Sequence, residues 1–276
     1  MNANEINFRC SKLGALMTEP QSKTAKEAGE LSETTKAYLR EVYVQLLTGR
    51  KKEIESKYLD KGNAREEDAL TMLNKYLNET RDKKVLLKKN EFIIENKFIV
   101  GELDTFDGDD IIHANEIFDT KCSWDVFTFY DAVFNTKVDK DYYWQGQGYM
   151  ALSGATKHTI AYCLLNCTHQ QLMDEKKRLQ YKFGVTVGIT DESTPEFKAY
   201  EDACVQAELN MIVDPEAFKK EYPGYDFECK YFPVIEKRIH LVTFERNDDD
   251  IERLYKRIRK CREYMNEVFF KEPALV

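Results

Sequence analysis

Between Gly101 and Lys121 the chain reads GELDTFDGDDIIHANEIFDTK. Two apolar runs flank a polar DGDD turn. The first, FIVGELD, ends in Asp104, and the second, IIHANEIFDTK, ends in Asp119-Thr120-Lys121. Short apolar runs separated by turn residues predict neighbouring strands. Side chains alternate faces along a strand, so Asp119 and Lys121 point the same way. The stretch therefore brings two carboxylates and one ammonium to the same edge of a sheet. The rest of the chain has to supply what lies around them.

That grouping matches the needs of phosphodiester cleavage, which requires charge neutralised on the phosphoryl group and an activated water. Mg²⁺ does both, through oxygen ligands and open coordination positions. Asp104 and Asp119 can share one ion, the backbone carbonyl of Thr120 adds a ligand, and the Lys121 ammonium orients water or stabilises developing charge. Glu66, on a separate helix, can complete a second metal position. D-x-K alone is common as a surface ion pair, and Asp104 alone can cap a turn. The order of elements raises the signal: a helix with Glu66, a strand ending in Asp104, a strand ending in Asp119-x-Lys121, then a glutamine-bearing helix with Gln145 and Gln147.

The totals fit this reading. With 276 residues the chain can bury a substantial core, and we expect one domain over 1–276. The 16 Tyr and 16 Phe argue against disorder. The longest apolar runs, TIAYCLL and VFF, are too short to span a bilayer, and MNANEINF has no leader pattern, so no membrane role is expected. Seven scattered cysteines are read as reduced thiols of a cytoplasmic protein, and they form no Fe–S ligand set. The formal net charge of −8 counts against nucleic-acid binding by bulk charge but leaves room for a local basic groove.

Along the chain, residues 7–18 predict a short strand or turn leading into a short helix, with Ser11 as either its cap or a phosphate hook flanked by Arg9 and Lys12. Residues 22–48 predict a helix with a Leu39, Val42, Tyr43, Leu46, Leu47 stripe, followed by Lys51, Lys52 and Lys57, which read first as a solvated surface and second as a contact with DNA backbone. Residues 62–80 predict a helix with Glu66 in its first turns. Segments 85–89, 91–96, 98–104 and 111–123 predict an antiparallel meander. Helices are expected over 125–134 and 140–155, and a buried strand over 158–168. Residues 169–235 read as a helical elaboration inserted into the core, with Lys176, Lys177 and Arg178 on its surface. A strand over 236–247 and a helix over 248–270 close the chain.

In these elements the chain resembles the PD-(D/E)XK nuclease superfamily, and within it the phage lambda-exonuclease/YqaJ-like recombination exonucleases. The resemblance rests on FRCSKLG, on Gly62…Glu66…Ala69, on GELD ending in Asp104, on Asp119-x-Lys121, on YYWQGQGYMALSG with Gln145-x-x-x-Tyr149, and on VTFERNDDDIERLYKRI. It covers roughly 7–168 and 236–270. It implies an α/β (α+β) restriction-endonuclease-like core, a central mixed sheet flanked by helices, with 169–235 as a helical insertion. It further implies metal binding by Asp104 and Asp119 with Glu66, water activation by Lys121, and support of the site or DNA backbone contacts from Gln145 and Gln147. Ser11, with Arg9 nearby, would take a 5′-terminal phosphate. The implied activity is Mg²⁺-dependent, with Mn²⁺ substituting and two ions bound. It is 5′→3′ degradation of one strand of linear duplex DNA, leaving 3′ tails, by a ring trimer that works with a single-strand annealing protein. An endonuclease or single-strand nuclease on the same fold, and a non-catalytic DNA-binding protein, are the alternatives. The second acid is Asp119 where many relatives carry Glu, and the arginine expected about a turn before the serine is absent.

Overall fold

The computed structural model describes residues 2–52, 57–82, 84–85, 87–108, 110–135 and 137–271. The chain opens with β1 (Phe8–Arg9), a 3₁₀ turn over Cys10–Lys12, and the short helices α1 (Leu13–Leu16) and α2 (Lys23–Glu27). Two long helices follow, α3 (Glu33–Thr48) and α4 (Lys57–Thr80). Ser32 caps α3 by accepting from the Thr35 amide, and Gly49 ends it at φ 67°, a left-handed conformation that suits glycine. The strands β2 (Lys88–Lys89), β3 (Ile94–Glu95), β4 (Ile99–Gly101), β5 (Thr105–Asp107) and β6 (Glu116–Cys122) come next. Then follow α5 (Val126–Phe134), α6 (Lys140–Ser153) and β7 (Lys157–Cys163). The insertion carries α7 (His169–Phe183), α8 (Pro195–Met211) and α9 (Pro215–Glu221), and β8 (Ile239–Glu245) and α10 (Asp248–Val268) complete the order.

The architecture is mixed α/β, as expected, but the meander is not continuous. The described strands form a three-stranded sheet, β1-β4-β3, and a five-stranded sheet, β2-β5-β6-β7-β8. β6 and β7 run parallel, and the remaining neighbours in the larger sheet are antiparallel. Of the strand expected over 85–89, position 86 lies outside the described residues and only Lys88–Lys89 pairs, with β5. Position 109 of the DGDD turn also lies outside them. The expected strand through Asp104 breaks after Gly101 and resumes at Thr105. Asp104 therefore sits where the chain passes from the small sheet to the large one. β7 stops at Cys163, short of the expected 168.

The main core lies between α6, α10, α1 and the strands, with Leu13, Leu16, Ile99, Leu103, Ile117, Met150, Leu254 and Ile258 buried together. The two glycines inside α6 are explained by this packing. A Cβ on Gly146 would meet Phe244 at 2.5 Å, and one on Gly148 would meet Leu13 at 2.5 Å. The insertion buries its own cluster, including Leu172, Phe197, Cys204, Met211 and Phe218, with Trp124 from the sheet side joining it. Lys176 departs from the expected surface position. It is buried against Glu208 at 2.9 Å, because an apolar cluster encloses both charges. The α3 stripe is also only half-buried: Leu39 is fully covered, while Leu46 and Leu47 are exposed. Among the described residues all seven cysteines are free thiols, and no helix is long and apolar enough to cross a membrane.

Candidate active site

The antiparallel register of β5 and β6 pairs Thr105 with Phe118 and Phe106 with Ile117. One residue further out, Asp104 comes opposite Asp119. The break that holds Asp104 is fixed by Asn90, whose amide nitrogen donates to the Asp104 carbonyl (2.8 Å) and whose side chain donates to the Leu103 carbonyl (3.0 Å). Asp119 lies inside β6 rather than at a strand end and is only 2 % exposed. Alternation along β6 puts Lys121 on the same face, and its Nζ donates to Asp119 Oδ1 at 2.6 Å.

α6 crosses this face. Gln145 Nε2 lies 3.4 Å from Asp119 Oδ2 and 3.3 Å from the Tyr149 hydroxyl. The Tyr149 hydroxyl in turn donates to the Glu102 carbonyl at 3.0 Å. Gln145 and Tyr149, four apart on one helix face, thus tie the segment before Asp104 to Asp119. Gln147 is turned away. Two helical positions are about 200° apart around the axis, so only one of the two glutamines can face the acids. Gln147 is fully buried and spends its amide on the β8–α10 junction, donating to Glu245 O (2.8 Å) and accepting from Asn247 N (2.9 Å). Its place in the fold is a helix–strand tie.

The two acids and the lysine are electrostatically unbalanced. Burial, with the neighbouring Asp119 charge, pushes the Asp104 carboxyl up to about 8. Burial alone would raise Asp119 as well, but the Lys121 ammonium and a hydrogen bond from Asp104 hold it below the ordinary aspartate range. Against burial, which opposes its charge, Lys121 is held above the ordinary lysine range by Asp119 and Asp104. At neutral pH the pair therefore keeps one proton, on Asp104. His158, one strand over on β7, is buried with no hydrogen-bond partner for either ring nitrogen among the described residues. Burial lowers it to about 4, so it is a neutral ring packed between Tyr149 and Phe244.

Asp104 and Lys121 open onto a cleft of about 540 Å³, lined among others by Ser11, Glu66, Thr120, Tyr142 and Gln145, with Asp119 buried directly behind them. Glu66 sits more than two turns into α4 rather than in its first turns, because the helix starts at Lys57. Its carboxylate is paired with Lys89 at 3.1 Å. Ser11 is exposed in the 3₁₀ turn and is not a helix cap, since Lys12 occupies the N-cap position of α1. Arg9 is exposed on β1 beside Val100, and Lys12 lines a neighbouring groove; neither lines the cleft. Tyr142, whose ring lies 5.0 Å from the Lys121 ammonium, was not visible as a site residue in the sequence. Neither was Lys61, which is buried behind the cleft and donates to the Trp124 and Leu165 carbonyls (2.9 and 2.8 Å). An i, i+4 partner search from Gln145 finds Tyr149, but nothing local marks Lys61.

The donor set suits a hard divalent ion that takes few ligands from the protein and completes its octahedron with water. Among the described residues no three His, Cys, Asp or Glu side chains converge on one point. Two apposed carboxylates and the Thr120 carbonyl leave the other positions to water and substrate oxygens, the usual way Mg²⁺ is held. A carboxyl pair balanced by Lys121 and by a proton on Asp104 is one that a cation can enter by displacing the proton.

No protein-family model matches the chain, and no curated protein matches its sequence. Solved structures do. A phage related exonuclease from Haemophilus somnus 129PT superposes with a TM-score of 0.63 at 26 % identity, covering 96 % of each chain. An alkaline exonuclease from Laribacter hongkongensis, LHK-Exo, superposes with a TM-score of 0.53 at 14 % identity, covering 96 % of this chain and 94 % of that one. The same enzyme in complex with dAMP gives 0.53 at 15 %. The latter two show the fold alone. Over 96 % of its length the chain has the fold of these exonucleases, with the Asp104–Asp119–Lys121 cleft set into it.

Proposed function

We propose that the chain is a divalent-metal-dependent DNA exonuclease. The observation that carries this is the apposed Asp104 and Asp119 carboxyls with Lys121 Nζ 2.6 Å from Asp119, opening on a cleft in an exonuclease fold. Asp104, Asp119 and the Thr120 carbonyl would hold Mg²⁺ or Mn²⁺. The ion, when bound, supplies Lewis-acid stabilisation of the phosphoryl oxygens and acidifies water.

The chain's own residues do the rest. Asp104 gives up the proton it holds when a cation is present. Lys121, fixed by Asp119 and backed by the Tyr142 ring, presents its ammonium to the attacking water and the developing charge. Gln145 holds Asp119 and keeps its carboxylate from rotating away from Asp104. Glu66, whose carboxylate meets Lys89 at 3.1 Å, would serve a second ion. Ser11, at the cleft wall, offers its hydroxyl to a terminal phosphate. A 5′→3′ direction, loss of one strand of linear duplex to leave 3′ tails, a ring-shaped homo-oligomer and a single-strand annealing partner belong to the same reading. They rest on the family resemblance and on Ser11's position.

Linear duplex labelled at its 5′ or 3′ end, and closed circular duplex of the same sequence, separate the readings. The proposal expects early release of the 5′ label as short product, late release of the 3′ label and an intact circle. Cutting of the circle would make the chain an endonuclease. Early 3′ release would reverse the direction.

A further inference from the structure

Lys51 and Lys52, which follow α3, line no part of the cleft, and they do not stand alone in the structure. A groove of about 690 Å³ runs between α1 and α3. Its lining includes Lys12, Arg40, Arg50, Lys51 and Lys52, with Glu41 as its one acid among the described residues. Glu41 is met by Lys52 at 3.7 Å. Lys12, Arg40, Arg50 and Lys51 make no ion pair among the described residues. In a chain whose formal net charge is −8, this is a local concentration of positive charge.

The groove is built rather than incidental. Its α1 and α3 walls are pinned by Thr35, fully buried, whose hydroxyl donates to the Ala15 carbonyl at 2.9 Å. The floor is smooth and uncharged, with Ala15, Ala37, Val44 and the Tyr38 ring. It adjoins the cleft along the chain: Ser11 lines the cleft and its neighbour Lys12 lines the groove, both within one 3₁₀ turn.

We infer that this groove is a track for the phosphate backbone of duplex DNA, which holds the double-stranded arm while its end lies in the cleft. The inference rests on the nuclease reading above. From Ala37 to Thr48 the helical wall spans about 16 Å, the length of about five base pairs along one strand. Mobile cations over a smooth floor neutralise phosphates without reading bases, which suits an enzyme that has to move along any sequence. The track lies beyond the first few nucleotides, so it acts on binding of long duplex and on processivity rather than on the chemical step.

The test is the triple variant Arg40→Ala/Arg50→Ala/Lys51→Ala, all three exposed and free of any fold role. Binding of a 5′-phosphorylated 30-base-pair duplex is measured in EDTA from 50 to 300 mM salt, beside Mg²⁺-dependent digestion of a six-base-pair duplex. Release of three phosphate contacts flattens the log K against log[salt] slope by about 2 to 3 and weakens long-duplex binding on the order of 100-fold at 0.1 M salt. Digestion of the short duplex is expected at the parental rate. Parental slope and affinity on the long duplex overturn the track, while the exonuclease reading stands if the short duplex is still digested. Failure of the parent itself to digest either duplex overturns the exonuclease reading instead. Displacement of parent-bound duplex by polyglutamate at matched charge concentration would make the groove an acidic-peptide site and also overturn the proposal.

Discussion

Two regions of this molecule bury charge, and they do so in opposite ways. In the insertion, Lys176 Nζ bonds Glu208 (2.9 Å) and lies 3.1 Å from Glu228. Glu208 also accepts from the Tyr225 hydroxyl (2.6 Å) and the Cys229 amide (2.7 Å). The Lys176 ammonium is met by Glu208, Glu228 and Tyr225, and both Glu208 oxygens accept hydrogen bonds, so the buried charges are matched within the fold. In the cleft, two carboxyls face each other with one lysine between them and solvent, and one carboxyl has to stay protonated. The first cluster organises a fold. The second is balanced only by a proton that a cation can displace, which is the mark of a site where local rules are broken for function.

The contrast is broken most directly at Lys121. Lys121→Ala should reduce DNA cleavage by about three orders of magnitude or more, with the circular dichroism spectrum and end binding in EDTA retained. Cleavage at the parental rate would remove the lysine from the chemistry. The corresponding change in the insertion, Lys176→Met, should act on stability instead. Leaving Glu208 buried and unpaired costs about 3–5 kcal/mol, read as a lower urea midpoint, while activity per folded molecule is unchanged. By contrast Asp104→Asn, which removes one member of an already strained pair, should leave the metal-free protein as stable as the parent or more so. A loss as large as that of Lys176→Met would erase the distinction between the two clusters.

The pH dependence sharpens it further. The folded-state pKa of Asp104 is raised above its unfolded value, so the folded chain holds a proton that the unfolded chain has lost. That contribution to metal-free stability is fully present below the unfolded value near 3.8 and is lost as pH rises through about 8. Metal binding competes with the same proton. At limiting Mg²⁺, activity should climb from about pH 6 and level off above about pH 8 to 9, and a flat profile would show that Asp104 is not the titrating ligand. The smallest effect belongs to Ser11→Ala, which should cut the preference for a 5′-phosphate over a 5′-hydroxyl end by several-fold. An unchanged ratio removes Ser11 from the phosphate site.

The sequence made the acid–lysine core legible because strand alternation and antiparallel register are short-range rules. Two residues apart put Asp119 and Lys121 on one face, and one turn between strands put Asp104 near them. Gln147 reads as a site residue beside Gln145, yet residues two apart on a helix lie about 200° apart around its axis, so only Gln145 faces the acids. It placed Lys176 at the surface because its partner Glu208 is 32 residues away, and no local pattern announces a pair closed by tertiary packing. The split of the meander into two sheets was likewise hidden, since β1 reaches β4 across some 90 residues to form the smaller one. Asn90, which fixes the break at Asp104, acts through main-chain contacts that leave no trace in a motif.

The central claim is that the unsettled Asp104–Asp119 pair is a cation site that cuts DNA. Digestion of 5′-phosphorylated linear duplex by the parent and by Asp119→Asn, each with Mg²⁺ and with EDTA, tests it most directly. The account predicts digestion by the parent with Mg²⁺ and none in the other three reactions. Digestion in EDTA, or by Asp119→Asn at the parental rate, would contradict it.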